Sequence, residues 1–465
     1  MASMLSAKLA LARGVGTLSR LRGSGATSAP GKVLMGLAPD AIATLGARLQ
    51  QGSALISATN GKTTTAAMTA AILERHGVRL VHNRAGANMA GGVASTLLAA
   101  ARRGAQIDGE LGLFEVDELW LSRIARQLHP RAILLGNLSR DQLDRFGELE
   151  AIADSWSELL ASTDTNAVLN ADDPLLADLG RERAGGAGVL FFGVDDDSLA
   201  LPGMAHAADA KHCRNCGAPY MFDAVYLGHL VHYHCPSCSL QRPAPHVVAS
   251  NVRLHGVRSA AFTLRTPAGE AEVTLALPGL YNVYNALAAA ALAHALGVPT
   301  ATIAAGLEAT RAAFGRAESV SIAAADGATR ELRILLVKNP AGTNEVLRTL
   351  ALEPGEHELL GVLNDHIADG RVVSWIWDAD FELLAPRVRS AVCAGTRAAD
   401  LAARLKYAGV DPQRIRIVED LPSALAAAAR SGERERPLYA LPTYTAMLAL
   451  RELLVARGEA PSEWS

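Results

Sequence analysis

The sequence predicts an α/β protein built from two successive, largely parallel sheets, with a small cysteine-rich module inserted in the first. Three observations predict it. From residue 53 to about 194, short apolar runs alternate with helix-forming runs, the pattern of strands covered on both faces. A second alternation of the same kind begins after residues 324–329. Between the two, four of the five cysteines fall into two C-x-x-C pairs. At 465 residues the chain exceeds one ordinary core, so several domains are expected.

Half of the residues are hydrophobic, so burial is not limiting. The net charge of -3 makes no general case for a nucleic-acid partner. No apolar run approaches the roughly 18–20 residues that span a bilayer. Lys8, Arg13, Arg20, Arg22 and Lys32 all precede the first acid, Asp40. That resembles a transit peptide faintly, but residues 3–21 read better as a basic amphipathic helix, suited to touching a membrane surface. The cysteines do not form a disulfide framework, and a reducing cytosol fits them.

In the first alternation, residues 54–56, 79–81, 111–114, 132–135 and 167–169 read as strands. Residues 66–75, 89–101 and 148–160 read as helices. Ligands of such sheets bind at the carboxyl ends of the strands. The first strand runs into Ser57-Ala58-Thr59-Asn60-Gly61-Lys62-Thr63-Thr64-Thr65. A loop opening a helix offers unpaired N–H groups to a phosphate. Gly61 lets the backbone approach, Lys62 brings a charge to the β/γ-phosphates, and Thr63 offers a hydroxyl to Mg²⁺. The P-loop pattern is incomplete, since Ile56 and Ala58 stand at the earlier small-residue positions. A polar strand-to-helix turn is the plainer alternative. After the strand at 111–114 come Glu115, Asp117 and Glu118, which could hold Mg²⁺ or form a solvated acidic turn. After the next come residues 137–148, a dense charge cluster, and after 167–169 comes Leu169-Asn170-Ala171-Asp172-Asp173-Pro174.

Cys213-Arg214-Asn215-Cys216 and Cys235-Pro236-Ser237-Cys238 are spaced as in zinc sites. Each knuckle places two thiolates on one side of a tetrahedron, and the segment between can form a hairpin. Four thiolates leave no position open to water, so the metal is structural. A redox dithiol is the alternative. His212, His229, His232 and His234 lie nearby and are surplus to such a site.

In the second alternation, residues 333–337, 359–363, 391–393, 415–418 and 438–441 read as strands. Lys338-Asn339-Pro340-Ala341-Gly342 follows the first of these strands, and Leu363-Asn364-Asp365 and Ala368-Asp369-Gly370-Arg371 follow the second. Trp375, Trp377 and Asp378 complete a patch that suits a partner interface, core packing being the alternative for the tryptophans. Cys393 ends a strand without a nucleophile elbow and reads as a small buried hydrophobe.

The words Thr59-Asn60-Gly61-Lys62-Thr63-Thr64 resemble the nucleotide loop of the Mur ligases, which join an amine to a carboxylate using ATP. R-D-Q-L-D-R-F-G-E at 140–148, L-N-A-D-D-P at 169–174 and Y-N-V-Y-N-A-L-A-A at 281–289 are similar to the MurT branch of that family. Gln142 supports the branch, because the general family usually has a histidine there. The resemblance implies a fold: a central ATP-binding domain at 51–318 with a zinc ribbon inserted at 205–245, after an N-terminal helical segment at 1–50. A Rossmann-like C-terminal domain occupies 319–465. It implies that Glu115 binds Mg²⁺ with Thr63, that Asn170, Asn282 and Asn285 lie near the nucleotide, and that Arg316, in G-R-A-E, lies near the phosphates.

The implied reaction is ATP-dependent amidation of the D-glutamate α-carboxylate of lipid II through an acyl phosphate. The implied partner is a GatD-type glutamine amidotransferase subunit, in a heterodimer working in the cytoplasm at the inner face of the membrane. A folylpolyglutamate synthase-like ligase, or a zinc-ribbon protein that binds ATP without chemistry, are the alternatives. In the branch, A-D-G-R-D-x-S-W carries an aspartate that completes a Cys-His-Asp triad in the partner. Here residues 368–375 place Val372 at that position, so glutamine-driven amidation is expected to be weak or to rely on another acid such as Asp369. Lys62, Glu115 and Asp369 are thus the expected catalytic residues.

Overall fold

The computed structural model describes residues 2–21, 28–83, 87–102, 106–139, 148–183, 188–201, 211–310, 316–323, 329–430 and 436–461. The amphipathic helix expected at the start is α1 (Ala2–Leu21). Its apolar side is spent on the protein, for Leu9 and Ala12 are buried. Arg13 donates to the carbonyls of Leu98 and Ala101, at the end of a later helix whose last-turn carbonyls lack helical partners. Next come α2 (Ala29–Leu37) and α3 (Ala41–Gly46). No helix among the described residues is long and apolar enough to cross a membrane.

The first sheet then follows the expected alternation: β1 (Ser53–Ser57), α4 (Lys62–Arg75), β2 (Leu80–His82), α5 (Ala90–Ala100), β3 (Leu111–Glu115), α6 (Leu121–Leu128), β4 (Ala132–Leu135), α7 (Glu148–Ala161), β5 (Asn166–Asn170), α8 (Pro174–Glu182) and β6 (Val189–Val194). The chain leaves this sheet for a hairpin, β7 (Met221–Leu227) and β8 (Leu230–His234), and returns through β9 (Val247–His255), β10 (Ser259–Thr266) and β11 (Gly269–Leu275). The nine strands lie in the order β11-β10-β9-β6-β5-β4-β1-β3-β2. From β2 to β9 the pairing is parallel, and β10 and β11 extend the sheet antiparallel. β1, β3 and β4 are buried throughout and adjacent, so their carboxyl ends open side by side.

α9 (Leu280–Ala295) and α10 (Thr300–Ala309) cover this sheet. Alanine-rich α9 buries nearly every residue after its first turn, because small side chains let a helix lie close on a sheet.

The second sheet comprises β12 (Arg316–Ala323) and β13 (Thr329–Leu335), then, after α11 (Pro340–Ala351), β14 (His357–Val362), β15 (Val388–Ala394), α12 (Ala398–Tyr407), β16 (Ile415–Ile417), α13 (Leu421–Arg430), β17 (Leu438–Pro442) and α14 (Tyr444–Ala456). Its order is β12-β13-β17-β14-β15-β16, parallel except for the β12–β13 pair. β12 pairs only with β13, so residues 316–318 lie in this second sheet. A buried ion pair, Arg330 Nη2 to Glu358 Oε2 at 2.8 Å, ties β13 to β14.

Candidate active site

The expected nucleotide loop sits where the ends of β1, β3 and β4 converge. Gly61 has φ of +83°, a left-handed conformation that favours glycine. A Cβ at Gly61 would also come within 2.0 Å of Asn285 Oδ1. α4 starts directly after it, four residues earlier than the sequence predicts, so Lys62, Thr63 and Thr64 form its first turn. Among the described residues no side chain caps this helix, so its first N–H groups face the loop.

The loop is braced from outside. The Asn137 side chain pairs with the Asn60 backbone, accepting from N–H at 2.9 Å and donating to the carbonyl at 2.9 Å. The Thr59 hydroxyl donates to the Ser139 carbonyl and accepts from the Ser139 N–H, both at 3.1 Å. Lys62 Nζ lies 2.8 Å from Glu118 Oε2 and also meets the Ala58 carbonyl. Both partners of this ion pair are largely buried.

These residues line one cavity of about 740 Å³. Thr63, Glu115 and Glu118 share its wall. Asn83 holds the end of β3, accepting from the Glu115 N–H at 2.9 Å and donating to its carbonyl at 2.8 Å. Asn282 and Asn285 line the cavity from α9. Asn285 donates to Asn282 Oδ1 at 3.1 Å and accepts from the Thr65 hydroxyl at 3.3 Å.

Asn170 departs from expectation. It is buried beneath the site and does not line the cavity. Its amide donates to the Gly136 carbonyl at 3.0 Å and accepts from the Asp172 N–H at 3.0 Å. Its role here is to fix the turn after β5.

Two segments named in the sequence take up contacts that the sequence did not assign to them. The turn before α11 reaches the nucleotide loop from the second sheet. Asn339 Nδ2 donates to Asn60 Oδ1 at 2.9 Å, and Lys338 Nζ lies 3.4 Å from the Thr59 carbonyl. The second is His229, which the cysteine spacing leaves without a task. It occupies the β7–β8 turn, lines the cavity, and places Nε2 2.9 Å from Asp173 Oδ2. Asp173 also caps α8 and accepts from the Leu138 N–H at 2.9 Å. A turn contact between distant segments leaves no periodic signal in a sequence.

The four cysteines come together at the base of that hairpin. Cys213 and Cys238 sulfurs are 3.6 Å apart, Cys216 and Cys235 3.4 Å, and all four lie within 4.8 Å of one another. A tetrahedron of thiolates about 2.3 Å from zinc has edges of about 3.8 Å, so the donor set fits. The module is fastened to the first domain by Arg242, whose Nε donates to buried Asp172 at 2.6 Å.

Comparison with known proteins places this site in a family. The Mur ligase middle domain matches residues 56–216, and the MurT ligase C-terminal region matches 336–447. The chain is 32% identical to the lipid II isoglutaminyl synthase (glutamine-hydrolyzing) subunit MurT of Streptococcus pneumoniae, over 95% of this chain and 94% of that one. The chain belongs to the MurT branch of the Mur ligases. The Staphylococcus aureus subunit MurT is 30% identical, over 94% of both chains. Among solved structures, a pseudomurein peptide ligase type C from Methanothermus fervidus shares the fold, with a TM-score of 0.67 and 22% identity over 88% of this chain and 79% of that one.

In this Mur ligase, Asp369 cannot serve as the expected acid of a partner's triad. It is buried, and both of its oxygens are taken at the start of α14, one by the Thr445 N–H at 2.7 Å and the other by the Thr445 hydroxyl. Val372, by contrast, is exposed at the head of a short 3-10 turn, Val373–Asp378. The tryptophans divide: Trp375 is buried in the second core, and Trp377 is half exposed beside Tyr407, with ring centroids 5.8 Å apart. Cys393 is fully buried, and burial pushes its thiol up to about 12, which suits an inert core residue. Arg316 begins β12, and its side chain lies outside the described residues, as does the cluster at 140–147 that contains Gln142.

Proposed function

We propose that this Mur ligase converts the D-glutamate α-carboxylate of the lipid II stem peptide to the amide, through an acyl phosphate. The convergence of the nucleotide loop, the carboxylates after β3 and the turn before α11 on one cavity carries the reading. The chain's end-to-end likeness to MurT subunits supplies the substrate class.

ATP would lie with its phosphates over Gly61, Lys62, Thr63 and Thr64, at the uncapped start of α4. Thr59 and Asn60 hold the loop's shape, and Asn282 and Asn285 offer amides to the nucleotide. Thr63 and Glu115 would hold Mg²⁺, which neutralises charge on the transferring phosphoryl group. Once phosphates enter, Lys62 exchanges its buried partner Glu118 for them and stabilises the charge that develops in transfer. Asn339 and Lys338 bring the second domain against the loop and shield the acyl phosphate from water. The zinc ribbon is a structural part of the first domain, and the domains divide between the two sheets.

Ammonia would come from a GatD-type glutamine amidotransferase subunit, docked where Val372 and Trp377 are exposed. The reaction would run in the cytoplasm, at the membrane face where lipid II presents its peptide. Purified protein should release phosphate from ATP in the presence of lipid II and ammonium, with amidated lipid II found by mass spectrometry. Phosphate release with a folate and glutamate, and none with lipid II, would overturn this in favour of a folylpolyglutamate synthase-like ligase.

A further inference from the structure

We infer that Glu345 is the base that takes the proton given up when ammonia attacks the activated carboxyl group, an inference that rests on the amidation proposed above. Its position is the first reason. Ala341, Gly342, Glu345 and Val346 recur at helical spacing on one face of α11, and that face lines the same cavity as Lys62 and Glu115. Nothing in nucleotide binding calls for a carboxylate on this helix.

Its bonding is the second reason. One Glu345 oxygen, Oε1, accepts from Arg348 Nη1 at 2.5 Å. The other has no hydrogen-bond partner among the described residues. A buried carboxylate half-satisfied in this way has an oxygen ready to receive a proton. Burial pushes the carboxyl up to about 7, while Arg348 opposes the rise. A base near the working pH is the efficient kind.

Several of the other charged groups around the cavity have neighbours of their own. Lys62 is paired with Glu118 and His229 with Asp173. Glu115 and Asp117 follow β3, and Lys338 faces the nucleotide loop. Tyr281 and Tyr284 of α9 and Tyr444 of α14 complete the titratable lining.

The step balances as follows. The ammonia lone pair forms the C–N bond at the acyl carbon, and the C–O bond to phosphate breaks. Phosphate leaves with that electron pair. One N–H proton passes to Glu345, which releases it to water, and the phosphate draws one from water.

The test is the full-length protein with lipid II, ATP and ammonium chloride, its partner omitted, at rates normalised to free ammonia. Wild type should speed up as pH rises through about 7, as Glu345 ionises. Glu345→Gln should lose about 10²–10⁴ in amidation rate, together with that inflection. Hydroxylamine, a strong nucleophile that is neutral at pH 7, should still give hydroxamate with this variant. Arg348→Gln, which keeps the carboxylate and removes its cation, should move the inflection to higher pH. If Glu345→Gln loses amide and hydroxamate equally, or if Arg348→Gln leaves the inflection where it was, Glu345 is structural and the inference fails. A wild type that makes no amide from ammonium under any condition instead refutes the amidation itself.

Discussion

At the residue scale, Lys62, proposed above to meet the phosphates, also makes a structural contact. The sequence suggests that Lys62 meets phosphates rather than the core. The structure gives it Glu118, with both partners buried. Removing one member of a buried pair typically costs about 3–5 kcal/mol, because the other charge is left without compensation. Lys62→Ala should therefore abolish ATP turnover and also lower stability to chemical denaturation. Lys62→Ala with Glu118→Gln should regain most of the stability and none of the turnover. A single variant as stable as wild type would show that solvent relieves Glu118. The place of Gly61, Lys62 and Thr63 between a strand and a helix was legible because an apolar run leads in and a helix-forming run leads out. Asn170 misled, since an asparagine at a strand end serves a turn as readily as a ligand. Asp369 misled for the same reason, as an acid close in sequence to Val372 whose side chain turns inward to α14.

At the element scale, the hairpin that gathers the four cysteines is a wall of the site rather than an appendage. The cysteine spacing made the cluster of four sulfurs plain, because thiolates that share one metal must meet at one point. The same spacing said nothing of the β7–β8 turn, where His229 meets Asp173 and lines the cavity. Structural zinc contributes directly to folding. Cys235→Ser should thus lose zinc, as read by metal analysis, and weaken ATP binding as well, as read by calorimetry. Normal ATP affinity in a zinc-free protein would show that the turn holds its place without the metal. The parallel strands β1 to β5 were readable because strands buried on both faces form short continuous apolar runs. β9 and the antiparallel extension, β10 and β11, were missed. β9 and β11 are half exposed, and charges such as Arg253 and Arg265 interrupt the apolar runs of β9 and β10.

At the scale of the whole molecule, the two sheets meet at the nucleotide loop, and the exposed face of the second domain carries the departure at Val372. Valine cannot orient an imidazole, and buried Asp369 cannot take over. In complex with the glutamine amidotransferase, Val372→Asp should raise glutamine-driven amidation by at least about tenfold, within the ~10⁴ that an orienting acid can supply. Its rate on free ammonium should not change. Equal glutamine use by both proteins would mean that the acid comes from elsewhere. The central claim is that one cavity activates a carboxylate by phosphorylation before nitrogen attacks. The measurement is oxygen transfer: lipid II labelled with ¹⁸O in the D-glutamate α-carboxylate, incubated with the protein, ATP and ammonium. An acyl phosphate predicts one labelled oxygen in each phosphate released with an amide, and amide formation with unlabelled phosphate would contradict it.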